Sequence, residues 1–241
     1  MDIRRKALLA ASNNADWYCA VFRSLGLSYE IEDGVWTSRD MAPPYHSNGL
    51  ILSPAGEARH RAIVRGLAAA IPRPFAVKDG FATHDFSGDG FRLLFEAHWI
   101  WRDAGLPLEA DRTDAAWHRV RTPGDLEAWE AALRVNGSPA DSRVFLPSLL
   151  ESSSMAFFAA HDKCRIIAGF AANLSENVVG FLNFFSVHSE TSLIRSAVEA
   201  TARFAPHLPI VGYDRGEALS EMHRIGFRSL QPLRVWLKTD T

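Results

Sequence analysis

The chain reads as an α/β protein built on a mixed sheet and made of two similar halves. Three observations predict this. Pro209–Lys238, PIVGYDRGEALSEMHRIGFRSLQPLRVWLK, has the layout of a short strand, a helix, a Gly-Phe turn and a closing strand. Phe75–Asp103, FAVKDGFATHDFSGDGFRLLFEAHWIWRD, repeats that layout. In each, an apolar run ends in Asp (Asp79, Asp214), a Gly-Phe-Arg follows (Gly90-Phe91-Arg92, Gly226-Phe227-Arg228), and an apolar strand carries Trp (Trp99, Trp236). Between these stretches, three apolar runs separated by polar turns predict an antiparallel meander: Met155–Ala160, Arg165–Ala172 and Val178–Val187.

The elements follow in order. Ile3 to Leu25 has rough helical spacing, with Asn13-Asn14 as an expected break and Gly26 as the stop. Tyr29–Thr37 predicts strand, turn, strand around Asp33-Gly34. Pro43-Pro44 places residues 41–47 in a loop. Gly49–Leu52 predicts a strand, Pro54–Ala70 a helix and Phe75–Lys78 a strand. Trp117–Arg121 predicts a strand. Thr122-Pro123 then predicts a helix start, with Thr as the cap and Pro in the first turn. Ser192–Phe204 predicts a further helix. A fixed offset of 135 lays Asn48 on Asn183, Pro74 on Pro209 and Asp79 on Asp214, without a gap. The expected organisation is a diverged N-terminal half at 1–105, a linker at 106–115 and a C-terminal half at 116–241.

Composition bounds the function. Net charge is −2 with no Lys/Arg run, so neither nucleic acid nor an anionic membrane is an expected partner. The two cysteines, Cys19 and Cys164, are too few for a disulfide framework. The first residues lack the apolar run of about 7–15 residues that a secretory signal needs, and a cytoplasmic protein is expected. No His-Glu-x-x-His, Cys-x-x-Cys or Gly-x-Ser-x-Gly occurs, and the nine histidines are scattered, so no metal site is expected.

From about Trp117 to Lys238 the chain resembles the GNAT superfamily of N-acetyltransferases. The most specific part is Glu217-Ala-Leu-Ser-Glu-Met-His-Arg-Ile-Gly-Phe, similar to the family's late helix and its Gly-Phe turn. Phe181–Val187 resembles the family's central strand, and Ser192–Phe204 the helix whose start holds the acetyl-CoA pyrophosphate. The resemblance implies a GNAT-like fold, with the first half as a shortened second copy. It implies an acyl-CoA-dependent N-acetyltransferase acting on a small-molecule amine, with acetyl-CoA as donor. Two strands would splay after Val187, leaving an edge for the pantetheine arm. Phe185, Ser186, Val187, Ser189, Thr191 and Ser192 are the implied donor-binding residues. The loop Val187-His-Ser-Glu-Thr-Ser-Leu-Ile lacks the family's Gly-rich pattern, and Met222 stands at its tyrosine position. A GNAT-fold ligand-binding or regulatory protein without acetyl-CoA chemistry is therefore the alternative, and a homodimer stays open.

Three side chains are candidates for proton transfer. His188 follows the central strand, Tyr213 ends the strand beside the splay, and His223 is next to Met222. Asp79 and Asp214 read as strand ends or helix caps. The Trp and Phe clusters read as sheet core.

Overall fold

The computed structural model describes residues 1–71, 74–108, 116–137, 140, 142–187 and 191–239. The first helix, α1 (Ile3–Ser24), is continuous through Asn13-Asn14, against expectation. Asn interrupts helices when its side chain bonds the local backbone, and here both side chains are engaged elsewhere. Asn13 Nδ2 donates to Asn173 O (3.1 Å) and Ser175 Oγ (2.8 Å), and Asn14 Oδ1 accepts from Lys78 Nζ (2.9 Å). Asp2 caps the start by accepting from Arg5 N.

The hairpin β1 (Glu30–Glu32) and β2 (Val35–Thr37) turns at Asp33-Gly34, both with positive φ. Next come β3 (Gly49–Ile51), α2 (Glu57–Ala70), β4 (Phe75–Asp79) and β5 (Arg92–Arg102). Glu57 rather than Pro54 opens α2 because Gly56, in the left-handed region, turns the chain into the helix. The second half runs β6 (Trp117–Arg119), α3 (Pro123–Asn136), β7 (Met155–Asp162), β8 (Arg165–Ser175) and β9 (Val178–Ser186). It closes with α4 (Thr191–Phe204), β10 (Ile210–Asp214), α5 (Gly216–Arg224) and β11 (Arg228–Lys238). Thr122 caps α3, as its sequence predicts, accepting from Asp125 N. Residues 109–115 of the expected linker lie outside the described residues.

All strands share one sheet, in the order β1-β2-β3-β4-β11-β5-β10-β9-β8-β7-β6. Each half's last strand sits beside a strand of the other half: β11 pairs with β4, and β5 pairs with β10. The two closing strands also pair antiparallel with each other. They match at an offset of 136 (Arg92 to Arg228), which makes Ala97 equivalent to Leu233, and these two are cross-strand partners. A local two-fold relation therefore runs through that pair. Helices α1 and α3 cover one face, with a core that includes Trp17, Trp129 and Phe157. Helices α2, α4 and α5 cover the other, over cores that include Val64, Phe75, Phe170 and Met222.

The halves differ where the parallel strands meet. β3 and β4 stay paired from Gly49–Val77 to Ile51–Asp79. β9 and β10 pair only at Val179–Ile210 and Gly180–Val211. These registers correct the gapless offset. Partners are 28 residues apart in the first half and 31 in the second, so Asn48 does not correspond to Asn183. They also move the divergence of the strands to just beyond Gly180, well before Val187. At Asn183 (φ 51), β9 carries a bulge: Leu182 faces Ala171 and Phe185 faces Gly169, leaving Asn183 and Phe184 opposite Phe170. The extra residue resets the in-out alternation, so Phe181 and Phe184 share the α4 face and Phe185 packs on Trp129 behind it.

Because β11 is the layer between β4 and β5, neither half should fold alone. Residues 1–108 and 116–241 expressed separately are expected to be insoluble or unfolded by circular dichroism, and co-expression is expected to restore a soluble complex. Independent cooperative unfolding of either piece would contradict the interleaved sheet.

Candidate functional site

Beyond Gly180 and Val211 the strands part around a cleft of about 350 Å³. It opens through the sheet, so each face lines one side. On the α4–α5 side lie Ile100, Phe181, Ile194 and Met222, an apolar wall drawn from one core. On the α1 side lie Asn14, Tyr18, His46, Lys78 and Tyr213, which is polar and aromatic. Asp214 and Asn183 stand at the parting edges. The alternation of β10 explains the division: Ile210 joins the α4–α5 core, while Val211 and Tyr213 join the α1 core.

Lys78 and Tyr213 occupy equivalent positions in β4 and β10, and their side chains meet across the two closing strands. The Lys78 ammonium lies 4.3 Å from the Tyr213 ring centre and 5.2 Å from that of Tyr18, and it donates to Asn14 Oδ1 at 2.9 Å. Burial acts to lower the Lys78 pKa, the two phenols act to raise it, and the net displacement is upward. The side chain is therefore a buried ammonium at neutral pH.

His46 reaches the same wall from the 41–47 loop, next to Tyr45, whose φ of 71° is a strained backbone state for a bulky residue. Its Nδ1 is 2.8 Å from Pro44 O, which makes Nδ1 the protonated nitrogen, and its buried Nε2 has no partner among the described residues. Its ring packs 4.6 Å from Tyr18. Burial pushes its pKa down to about 4, the Pro44 carbonyl opposes this, and the Lys78 charge adds to it. His46 is thus a neutral imidazole with one free acceptor.

Burial raises the Asp214 carboxyl to about 6, against the smaller opposing influence of the Arg215 N–H and charge. Its counterpart Asp79 is wholly enclosed. Asp79 accepts from the backbone N–H groups of Phe81 (3.2 Å) and His84 (2.7 Å) and lies 3.2 Å from His84 Nδ1. One aspartate closes its half; the other is left at the mouth of a cleft.

The structure brings Tyr213 into the cleft but not His223, which is exposed on α5 and bonded through Nε2 to Ser229 Oγ at 2.8 Å. The Phe185 side chain is core, against Trp129. Ser186 pairs with Ala168 and Val187 N donates to Ile167 O, so both lie along the β8 side of the strand. Thr191 and Ser192 open α4. His188 and Ser189 lie outside the described residues. Lys78, His46, Asn183 and Asp214 are the cleft residues that sequence reasoning missed. The apolar run around Lys78 was a signal: a lysine inside a buried strand needs a reason.

Among the described residues there is no cluster of three or more His, Cys, Asp or Glu placed to hold a metal ion, and no helix long and apolar enough to cross a membrane.

No family model and no curated protein matches the chain. Solved structures do. A GCN5-related N-acetyltransferase from Kribbella flavida superposes with a TM-score of 0.65 over 98% of this chain and 96% of its own, at 13% identity. A functionally unknown conserved protein from Staphylococcus epidermidis gives 0.61 over 91% and 98%, at 10% identity. A GCN5-related N-acetyltransferase-like protein from Streptococcus suis gives 0.54 over 98% and 100%, at 10% identity. The chain therefore has the GNAT fold. Its two similar halves share a single sheet, and their closing strands are exchanged.

The His46 assignment predicts a pH dependence of stability. The unfolded histidine titrates near its ordinary 6.5 and the folded one near 4. Between those values the unfolded chain binds the extra proton. The His46 contribution to stability is then complete above pH 6.5 and is lost as pH drops through the window, by about 3 kcal/mol in full. Asp214, raised to about 6, contributes with the opposite sign over the same window, so the readout is the difference: between pH 7 and pH 4.5 in urea unfolding, the wild type should shift further toward instability than His46→Gln.

Proposed function

We propose that the protein is an acyl-CoA-dependent N-acetyltransferase that acylates a small-molecule amine in the β9–β10 cleft. The observation that carries this reading is the contrast between the halves. β3 and β4 are sealed over Asp79, while β9 and β10 part in front of an aspartate raised to about 6. In this reading residues 1–105 and 116–241 are two GNAT-like units, and the second keeps the working cleft.

The α4–α5 side suits the donor. Past Gly180 the β9 edge facing β10 has no strand partner among the described residues, so its backbone is available to an extended amide-bearing arm. Phe181, Ile194 and Met222 offer apolar contact, and the start of α4 at Thr191 presents N–H groups favourable to phosphate. Acetyl-CoA supplies a thioester carbonyl as the electrophile.

The chain's own groups then have distinct tasks. Asp214, unprotonated above about pH 6, takes the proton from the attacking amine. Asn183 Nδ2, buried and without a partner among the described residues, is a donor available to a developing oxyanion at the bulge. Met222 has no exchangeable proton, so the acid for the leaving sulfur is assigned to Tyr213, the phenol beside the Lys78 ammonium. The ligand-binding alternative rests on that same Met222 and on buried Ile194 where the family has glycine.

Acetyl-CoA at about 100 times its Kd is expected to stabilise the protein by about 2.7 kcal/mol in a thermal-shift assay. No shift at millimolar acetyl-CoA or longer acyl-CoAs would sink the transferase reading. With a turned-over amine, kcat/KM should rise with pH through about 6, since a base works only when unprotonated. Asp214→Asn should remove that limb and lower kcat by about 10²–10⁴.

A further inference from the structure

We infer that Lys78 is an anion-binding residue for the acceptor, and that the acceptor is an amine that also carries a carboxylate. This rests on the acyl-transfer reading for what is done with the ligand, but the site stands on its own observations.

Lys78 is 3% exposed, and no ion pair reaches it among the described residues. Its neighbours are one neutral amide oxygen and two tyrosines, which meet it with both ring and hydroxyl. A buried ammonium with no counter-charge is costly, and a bound anion would supply the missing charge. Its bond to Asn14 helps seat α1, but the sheet itself does not call for a cation there. The equivalent place in the other half holds Tyr213, and the two side chains face each other over the same strands, so an apolar or aromatic residue satisfies the sheet there.

The ammonium is also within reach of a ligand. It stands where the cleft meets a second recess of about 320 Å³ under the 41–47 loop, and Tyr18, His46, Lys78 and Tyr213 line both. The polarity around it suits one molecule with two ends. Lys78 provides the cation for a carboxylate. The free His46 Nε2 and the Asp214 carboxyl are acceptors for the N–H groups of an amine. Trp17, Tyr18 and Tyr213 supply apolar faces between the ends.

The test pairs each amino acid with the amine that lacks its carboxylate: alanine with ethylamine, phenylalanine with phenethylamine, and 4-aminobutanoate with propylamine. Binding is read by calorimetry on the intact protein. At least one amino acid should bind about tenfold to a hundredfold more tightly than its paired amine, the effect of one charge-assisted hydrogen bond. Lys78→Met should erase that ratio and Lys78→Arg should keep most of it. The wild-type panel needs no variant, so a folding defect in Lys78→Met cannot mask the result. Equal binding within each pair, or a preference that persists in folded Lys78→Met, overturns the inference. Acetyl-CoA stabilisation measured on the same wild-type sample separates the two claims. A carboxylate preference without acetyl-CoA binding supports the anion site and sinks the transferase reading. Acetyl-CoA binding without a carboxylate preference does the reverse.

Discussion

Ala97 and Leu233 face each other across the central strand pair, and the placement of the cleft follows from that pairing. With the closing strands exchanged, β4 and β10 lie on either side of a two-stranded spine formed by β5 and β11. Equivalent positions on β4 and β10 then point over the spine toward one another. This is how Lys78, from the first half, comes to sit against Tyr213 in the cleft of the second. The site belongs to neither half alone.

Helix α1 fixes the other side of this arrangement. It is N-terminal in sequence, yet it docks on β8 through the reciprocal Asn13–Asn173 bonds, with Asp16 accepting from Ser175 Oγ. Gly180 is required beneath it, because a Cβ there would lie 2.2 Å from the side-chain oxygens of both asparagines. Buried amides paired this closely specify one helix position, since a shift of one residue would strand several polar groups. That position delivers Asn14 to Lys78 and Tyr18 to the cleft wall. The same backbone closeness recurs at Gly212, where a Cβ would meet Phe181 O at 2.9 Å, at the last point before β9 and β10 separate.

The two halves show how one architecture gives a sealed unit and an open one. In the first, β3 and β4 remain paired to Asp79, and that carboxylate is consumed by His84 and two backbone N–H groups. In the second, β9 is bulged at Asn183, β10 diverges, and among the described residues the Asp214 side chain accepts only from the Arg215 N–H. A half-buried carboxyl with few hydrogen bonds holds its proton to higher pH, which suits it to accept a proton near neutrality.

Local signals in the sequence determined much of the fold: the meander from period and turns, the α3 cap from Thr122-Pro123, the late helix and Gly-Phe turn, and the repeat itself. Each depends on residues within one or two turns of chain. Tyr213 was legible as a cleft residue because it ends a strand at the expected splay. The tertiary structure alone decided the rest. Exchange of β5 and β11 is a choice between partners of similar pattern, which no local period distinguishes. The continuity of α1 through Asn13-Asn14 depends on acceptors some 160 residues away in sequence. His223 is next to Met222 in sequence, and the helical rotation of about 100° per residue directs it away, to Ser229. Lys78, His46 and Asp214 acquire their character from burial and from one another, and burial by distant elements is not written in the residues beside them.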